Sequence, residues 1–324
     1  MIAEVEAFEN QKISEPLGWD DQFLSWFSTL EIPMAEKKLK LGGLEYFHFA
    51  TLLNRSDGGT CGGFGSDQSR RLAALKSAAE SIERLEMLEY FGSSKCKIPK
   101  AFHTSNGWAV QSSREVANEK AFSEALERHL LLKSFFSLGW SGFNCIQKIE
   151  GPELDLYLLT TQFSHGDRMA AMVIAKSHLY RGVSFGYGLG RIDQISQATF
   201  WQSAIYEAVD KILVLAGKDP KTSSKNWIRE EIEFYLTNNF DFSILPQVKK
   251  QSYVECDVGE VHFETIDLSK KYNLQFPFFA SFANGSGLIP LFTKSMVDSD
   301  AIKYLEKILA ANNISEVPER HPIL

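Results

Sequence analysis

Two short stretches hold the residue types that could do chemistry. Ser77-Ala78-Ala79-Glu80-Ser81-Ile82-Glu83-Arg84 and Phe122-Ser123-Glu124-Ala125-Leu126-Glu127-Arg128 each read Glu-x-x-Glu-Arg inside an Ala- and Leu-rich helical pattern. Positions i and i+3 of a helix share one face, about 5–6 Å apart at Cβ. Glu80 with Glu83, and Glu124 with Glu127, can therefore each present two carboxylates to one place. Carboxylates that close repel unless positive charge lies between them, and Arg84 and Arg128 cannot neutralise four. The spacing leaves two readings. In one the pairs face water, as a lone Glu-x-x-Glu-Arg usually does, with each Arg bonded to the Glu four residues before it. In the other they converge on a cation.

The elements that must position these groups are legible as periodic patterns. A long amphipathic helix is predicted over 67–91, with Leu72, Leu75, Ala79, Ile82 and Leu85 at helical spacing and Glu80 and Glu83 at the edge of that stripe. A second is predicted over 114–137 and a third over 193–216, the latter carrying Trp201, Ile205, Glu207 and Val209. Ahead of the first helix, Asp57 to Gly65 is rich in glycine and reads as a loop, which before a helix can cradle phosphate on its N–H groups. It lacks the Lys-Ser/Thr ending of a Walker loop. Ser105-Asn106-Gly107 reads as a turn into a strand at Trp108-Ala109-Val110. Residues 142–186 read as strands of a central sheet, with a turn at His165-Gly166-Asp167, and Gly186, Gly188 and Gly190 suggest a close backbone approach. A helix-strand-helix-strand succession over 224–283, a strand at Phe276–Phe282, a last helix over 298–312 and an extended end complete the reading. The first two helices look like echoes of each other.

Composition bounds the class. The chain has 324 residues, 44% hydrophobic and 23% charged, which suits a globular protein with a sizeable core. A formal net charge of −7 argues against nucleic-acid binding through bulk electrostatics. No apolar run approaches membrane-spanning length, and the acidic start Met1-Ile2-Ala3-Glu4 has no apolar signal region, so a cytoplasmic location is expected. Cys61, Cys96, Cys145 and Cys256 stand far apart with no Cys-x-x-Cys, which speaks against structural zinc and a disulfide framework. The seven histidines form no ligand pattern.

Taken together, the blocks resemble the YcaO family. Ser77, Ala78, Glu80, Glu83 and Arg84 match its first helix motif with one residue fewer after the Ala. Ser105, Asn106, Gly107 and Ala109, then Glu124, Glu127 and Arg128, match its second block in order and spacing. Gly188 to Gly190 and Glu207 match its third. The resemblance covers residues 57–215 well, and Asn284-Gly285-Ser286-Gly287 is similar to the family's late loop. It implies an α/β (α+β) YcaO-like domain over 57–324, with mixed sheets and long helices lining a central nucleotide and metal cleft, and a segment 1–56 packed on it.

The resemblance also implies an activity. Family members bind ATP through magnesium and phosphorylate a peptide-bond oxygen, so that attack by a Cys, Ser or Thr side chain gives an azoline and attack by sulfide a thioamide. On that basis Glu80, Glu83, Glu124, Glu127 and Glu207 are expected to hold magnesium. Ser77, Glu83, Arg84, Glu127 and Arg128 are expected at the cofactor, ATP. No catalytic base is identified beyond the segment His321 to Leu324. The implied partners are a peptide or protein substrate, a separate leader-binding or sulfur-delivery protein and a second copy in a homodimer, with neither nucleic acid nor membrane. The physics agrees: ATP and five carboxylates together carry about nine negative charges, tolerable only around divalent ions. Departures from the family pattern fall at Phe64, Ser112, Val116, Ser203 and Asp210, where it has polar or charged nucleotide contacts. Lys76, Arg70 and Arg71 are the candidates to replace lost positive charge. The departures keep an alternative open, a diverged subunit that binds substrate or partner without ATP turnover.

Overall fold

Gly63 and Gly65 explain why the first helix lies where it does. In the computed structural model, which describes residues 18–41, 44–55, 57–178, 182–216, 234–246, 253–292, 297–318 and 321–323, the glycine-rich stretch is not a loop. Thr60–Asp67 is a strand, β3, paired along its length with β2 (Leu44–Asn54), which pairs in turn with β1 (Met34–Leu41). Alternate residues of a strand face opposite sides, so Gly63 and Gly65 share the face turned to helix α2 (Arg70–Phe91). A Cβ on Gly63 would stand 2.2 Å from the Ser77 carbonyl oxygen, and one on Gly65 2.1 Å from that of Ala73. Glycine here serves close helix-on-strand packing, and of the loop expected over 57–65 only residues 57–59 lie outside a strand. Ser69 caps the helix start, its hydroxyl accepting from Leu72 N. The pairing of β2 with β3 runs from Phe47 with Asp67 to Asn54 with Thr60.

The same device recurs later. Strands β5 (Phe143–Ile149), β6 (Leu154–His165), β7 (Arg168–Ser177) and β8 (Ser184–Arg191) form an antiparallel sheet, with the short β9 (Val254–Glu255) joined parallel to β6. Helix α4 (Ala198–Ala216) packs on β8 where Gly186 would put a Cβ 1.9 Å from the Ala204 carbonyl oxygen. The close approach expected from the alternate glycines is therefore present at Gly186. A third sheet is β10 (Val261–Asp267), β11 (Phe279–Gly285) and β4 (Trp108–Gln111), in that order. Helix α3 (Arg114–Leu138), capped by Ser113, packs against β4 and β11 and against β6 and β7.

The core follows from these contacts. Leu126, Leu130, Leu131 and Leu132 of α3 are fully buried with Phe143, Met172 and Ile174. Phe23 and Phe27 of α1 (Trp19–Thr29) close over Ile82, Trp108 and Phe278. The short helix α5 (Leu268–Lys271) and the last helix α6 (Ser299–Ala311) complete the chain of elements. Of the expected succession over 224–283, residues 224–233 and 247–252 lie outside the described residues; the described part holds β9, β10, α5 and β11, the last starting at Phe279, three residues later than the strand expected at Phe276–Phe282. No described helix is long and apolar enough to cross a membrane. The result is the α+β architecture with mixed sheets and long helices that the sequence led us to expect.

Candidate functional site

Three helices on three sheets bring five carboxylates within electrostatic reach of one another. α2 supplies Glu80 and Glu83, α3 supplies Glu124 and Glu127, and α4 supplies Glu207. Burial and mutual repulsion raise four of them, Glu80, Glu83, Glu124 and Glu127. Burial raises Glu83 well above the usual carboxylate range, helped by the charges of Glu124 and Glu80. Burial likewise pushes Glu124 up to about 8, with Arg128 pulling down and Glu127 and Glu80 pushing up. Glu127 rises to about 7 from burial, opposed by Arg128 and reinforced by Glu207. Glu80 is raised by burial too, against the pull of Arg84, and feels Glu207 from across the recess. None of the five is sealed off: Glu80, Glu127 and Glu207 keep 29%, 15% and 32% side-chain exposure. Each of the five is thus partly walled by protein and partly open to water.

Each carboxylate is aimed by specific bonds. Glu80 accepts from the Phe64 backbone N–H at 2.5 Å and pairs with Arg84 at 2.5 Å. Arg84 also donates to the Gly62 carbonyl oxygen at 2.7 Å and lies 5.6 Å from the Phe64 ring centre. Glu207 accepts from the Tyr187 N–H at 2.8 Å. Arg128 stands 3.6 Å from Glu127 and 3.8 Å from Glu207, with its guanidinium 4.5 Å from the Tyr187 ring centre. Its Nη1 is buried and makes no hydrogen bond. Buried donors without hydrogen bonds are uncommon, and this one has the Glu127 carboxylate 3.6 Å away, in ion-pair range but beyond hydrogen-bond distance.

Several expected residues land elsewhere. Ser77, expected at the cofactor, is instead fully buried, its hydroxyl donating to the Gly63 carbonyl oxygen at 3.1 Å, so it staples α2 to β3. None of the three candidate replacement cations turns to the carboxylates: Arg70 pairs with Glu36, Arg71 with Asp21, and Lys76 with Asp67. Among the described residues Glu124 has no salt bridge to a cation, while Arg128 is turned to Glu127 and Glu207. At the chain's far end His321 is buried and donates to the Phe292 carbonyl oxygen at 2.5 Å, which places its ring in the core. Leu324 lies outside the described residues. The Pro322 carbonyl oxygen accepts from the Tyr187 hydroxyl.

One site residue was missed from sequence. Lys211 donates at 3.0 Å to Glu207 and at 2.9 Å to the Phe185 carbonyl oxygen, 4.7 Å from the Tyr187 ring centre. Burial lowers its affinity for the proton, and Glu207 opposes that. The signal was its position four residues after Glu207, one helical turn on. Asp210 on the same helix accepts from the Ser66 hydroxyl and lies 3.4 Å from His48, beside the ring of Phe64, which stacks 6.0 Å from His48.

The donor set can be tested against a metal. Among the described residues, no three His, Cys, Asp or Glu side chains stand close enough to grip one ion between them. Magnesium, however, keeps several waters and takes one or two carboxylates together with phosphate oxygens. Carboxylates raised by burial and by their neighbours' charge, with an Arg128 donor that makes no hydrogen bond, fit an ion that arrives with its anionic ligand, and do not form a closed protein cage.

No protein-family model matches the sequence, and no curated protein matches it. Solved structures do. The chain is similar to YcaO from Methanopyrus kandleri bound with AMPPCP and Mg2+, at a TM-score of 0.55 and 12% identity, over 88% of this chain and 94% of that one. It is also similar to a heterocyclase in complex with substrate and cofactor, at a TM-score of 0.51 and 11% identity, over 98% of this chain and 60% of that one. The fold is that of YcaO proteins.

Proposed function

We propose that this protein is a YcaO-type enzyme that uses ATP and magnesium to phosphorylate a peptide-backbone amide oxygen, leading to an azoline or a thioamide in a ribosomally made peptide or protein. The observation that supports the reading is that Glu80, Glu83, Glu124, Glu127 and Glu207, carried by three separate helices, lie within electrostatic reach of one another. Divalent cations held there would relieve their repulsion and would supply charge to stabilise a triphosphate. A fold shared with a YcaO protein bound to AMPPCP and Mg2+ supports it.

In this reading the carboxylate pairs on α2 and α3 hold the ions with Glu207, and Arg84 and Arg128 offset phosphate charge. The bound metal would polarise the phosphoryl oxygens; the chain's own part is to orient them. The peptide comes from a separate protein, with a leader-binding or sulfur-delivery partner, and the enzyme works as a homodimer. ATP hydrolysis with Mg2+ and candidate peptide tests this in wild type, Glu124→Ala and Glu207→Ala. Losses of roughly hundredfold are expected in both variants, and equal turnover in all three would count against the assignment.

The alternative, a diverged subunit without ATP turnover, is favoured by Phe64 and Asp210, since an exposed ring and a further carboxylate stand by the recess. Calorimetric titration with Mg·ATP separates the two: uptake favours the enzyme, and clean absence favours the scaffold.

A further inference from the structure

The aromatic ring of Tyr187 has two cations beside it. The Arg128 guanidinium lies 4.5 Å and the Lys211 ammonium 4.7 Å from its centre. The ring is fixed at both ends, through its backbone N–H to Glu207 and through its hydroxyl to the Pro322 carbonyl oxygen. Two like charges are held here with only one close acidic partner in common, Glu207, at 3.0 Å from Lys211 and 3.8 Å from Arg128. Among the described residues Arg128 Nη1 is buried without a hydrogen bond, the nearest carboxylate oxygen, on Glu127, standing 3.6 Å away. Lys211 is 16% exposed, and a small cavity lined by Phe185, Tyr187, Tyr235 and Pro322 adjoins it, so the ammonium is not clamped on every side.

We propose that Arg128 and Lys211 form an anion seat against Tyr187, and that Lys211 passes from Glu207 to a phosphate oxygen when a divalent cation takes Glu207. This rests on the reading of the recess as a Mg·ATP site. An anionic oxygen there supplies the acceptor that Arg128 Nη1 lacks. It also takes over the ammonium at the moment its own carboxylate partner is withdrawn by the metal, so neither buried charge is left alone. Lys211 thereby supplies the fixed positive charge that Arg70, Arg71 and Lys76, each committed to another carboxylate, do not.

The two ligands, Mg2+ alone and Mg·ATP, separate this role from mere support of Glu207. Affinities are measured by calorimetry on wild type, Lys211→Met and Lys211→Gln; the Gln variant keeps a donor toward the Phe185 carbonyl and serves if the Met variant does not fold. The expected result is Mg·ATP binding weakened roughly ten- to hundredfold, the scale of a lost charge-assisted bond, with Mg2+ alone bound as tightly as in wild type or more so. Mg·ATP affinity within twofold of wild type overturns the proposal. So does equal weakening of both ligands, which would make Lys211 a support for Glu207 only. Wild type that takes up no Mg·ATP removes the reading of the recess and this proposal with it.

Discussion

The backbone N–H of Phe64 donates to the Glu80 carboxylate at 2.5 Å, across sixteen residues of chain. That bond exists because α2 lies against β3 with no side chain between them at Gly63 and Gly65. The acidic recess thus has one wall whose position is set by the absence of two Cβ atoms.

Gly63→Ala should therefore loosen the wall. The added methyl would meet the Ser77 carbonyl oxygen at 2.2 Å and the Ser81 nitrogen at 2.4 Å, backbone atoms that cannot step aside without moving the helix. A loss of about 2 kcal/mol or more is expected in urea unfolding, together with weaker Mg·ATP binding. Wild-type stability in this variant would show that the close approach is not needed.

Stability without metal should fall as pH rises through neutrality. Glu124 at about 8 and Glu127 at about 7 both lie above their unfolded values, near 4.5. Folded-state proton binding then stabilises fully below about pH 4.5 and is lost as pH climbs through 7 to 8. Between pH 6.5 and 8.5 the melting temperature should drop in EDTA, and Glu124→Gln should flatten that drop. Mg·ATP should reverse it and release protons on binding, detectable as a buffer-dependent binding enthalpy.

Acid should act through a different group. His321 is buried and neutral, with burial lowering it to about 4. A histidine held below its unfolded value of about 6.5 contributes stability present above that pH and lost as pH falls toward 4. The full loss is about 3 kcal/mol. His321→Gln should be less acid-sensitive over pH 6.5 to 4 in chemical denaturation; an unchanged slope would place the acid response elsewhere.

A buried ion pair makes a fourth test. Glu86 is 1% exposed and takes Lys271 at 2.7 Å on both oxygens, with the Tyr272 hydroxyl at 2.5 Å, tying α2 to α5. Lys271→Met leaves that carboxylate buried with one partner, and about 3 kcal/mol of destabilisation is expected. Pairing it with Glu86→Leu should restore much of the loss, measured by urea midpoints.

The long helices were legible because apolar residues such as Leu75 and Ile82 repeat at 3.6 and the Glu-x-x-Glu spacing falls on one face. The strand at Thr60–Asp67 was not, since a glycine run carries the same letters whether it bends freely or lies flat under a helix. What tells them apart is a partner far away in sequence, here Ser77 and Ala73. Ser77 was misplaced for a related reason: a hydroxyl one turn before Glu80 faces the sheet, and sequence spacing alone does not say which side of the edge it takes. Lys211 went unseen because a Glu followed four residues later by a Lys is an ordinary surface pair until Tyr187 and Arg128 are brought beside it.

The carboxylates stand on helices seated on three different sheets, and no one sheet owns the charge they gather. Prising any one of those sheets from the others would let the acids drift apart and relieve their strain. An ion clasped among them would oppose that drift, so ligand uptake and the cohesion of the whole chain should rise and fall as a single quantity.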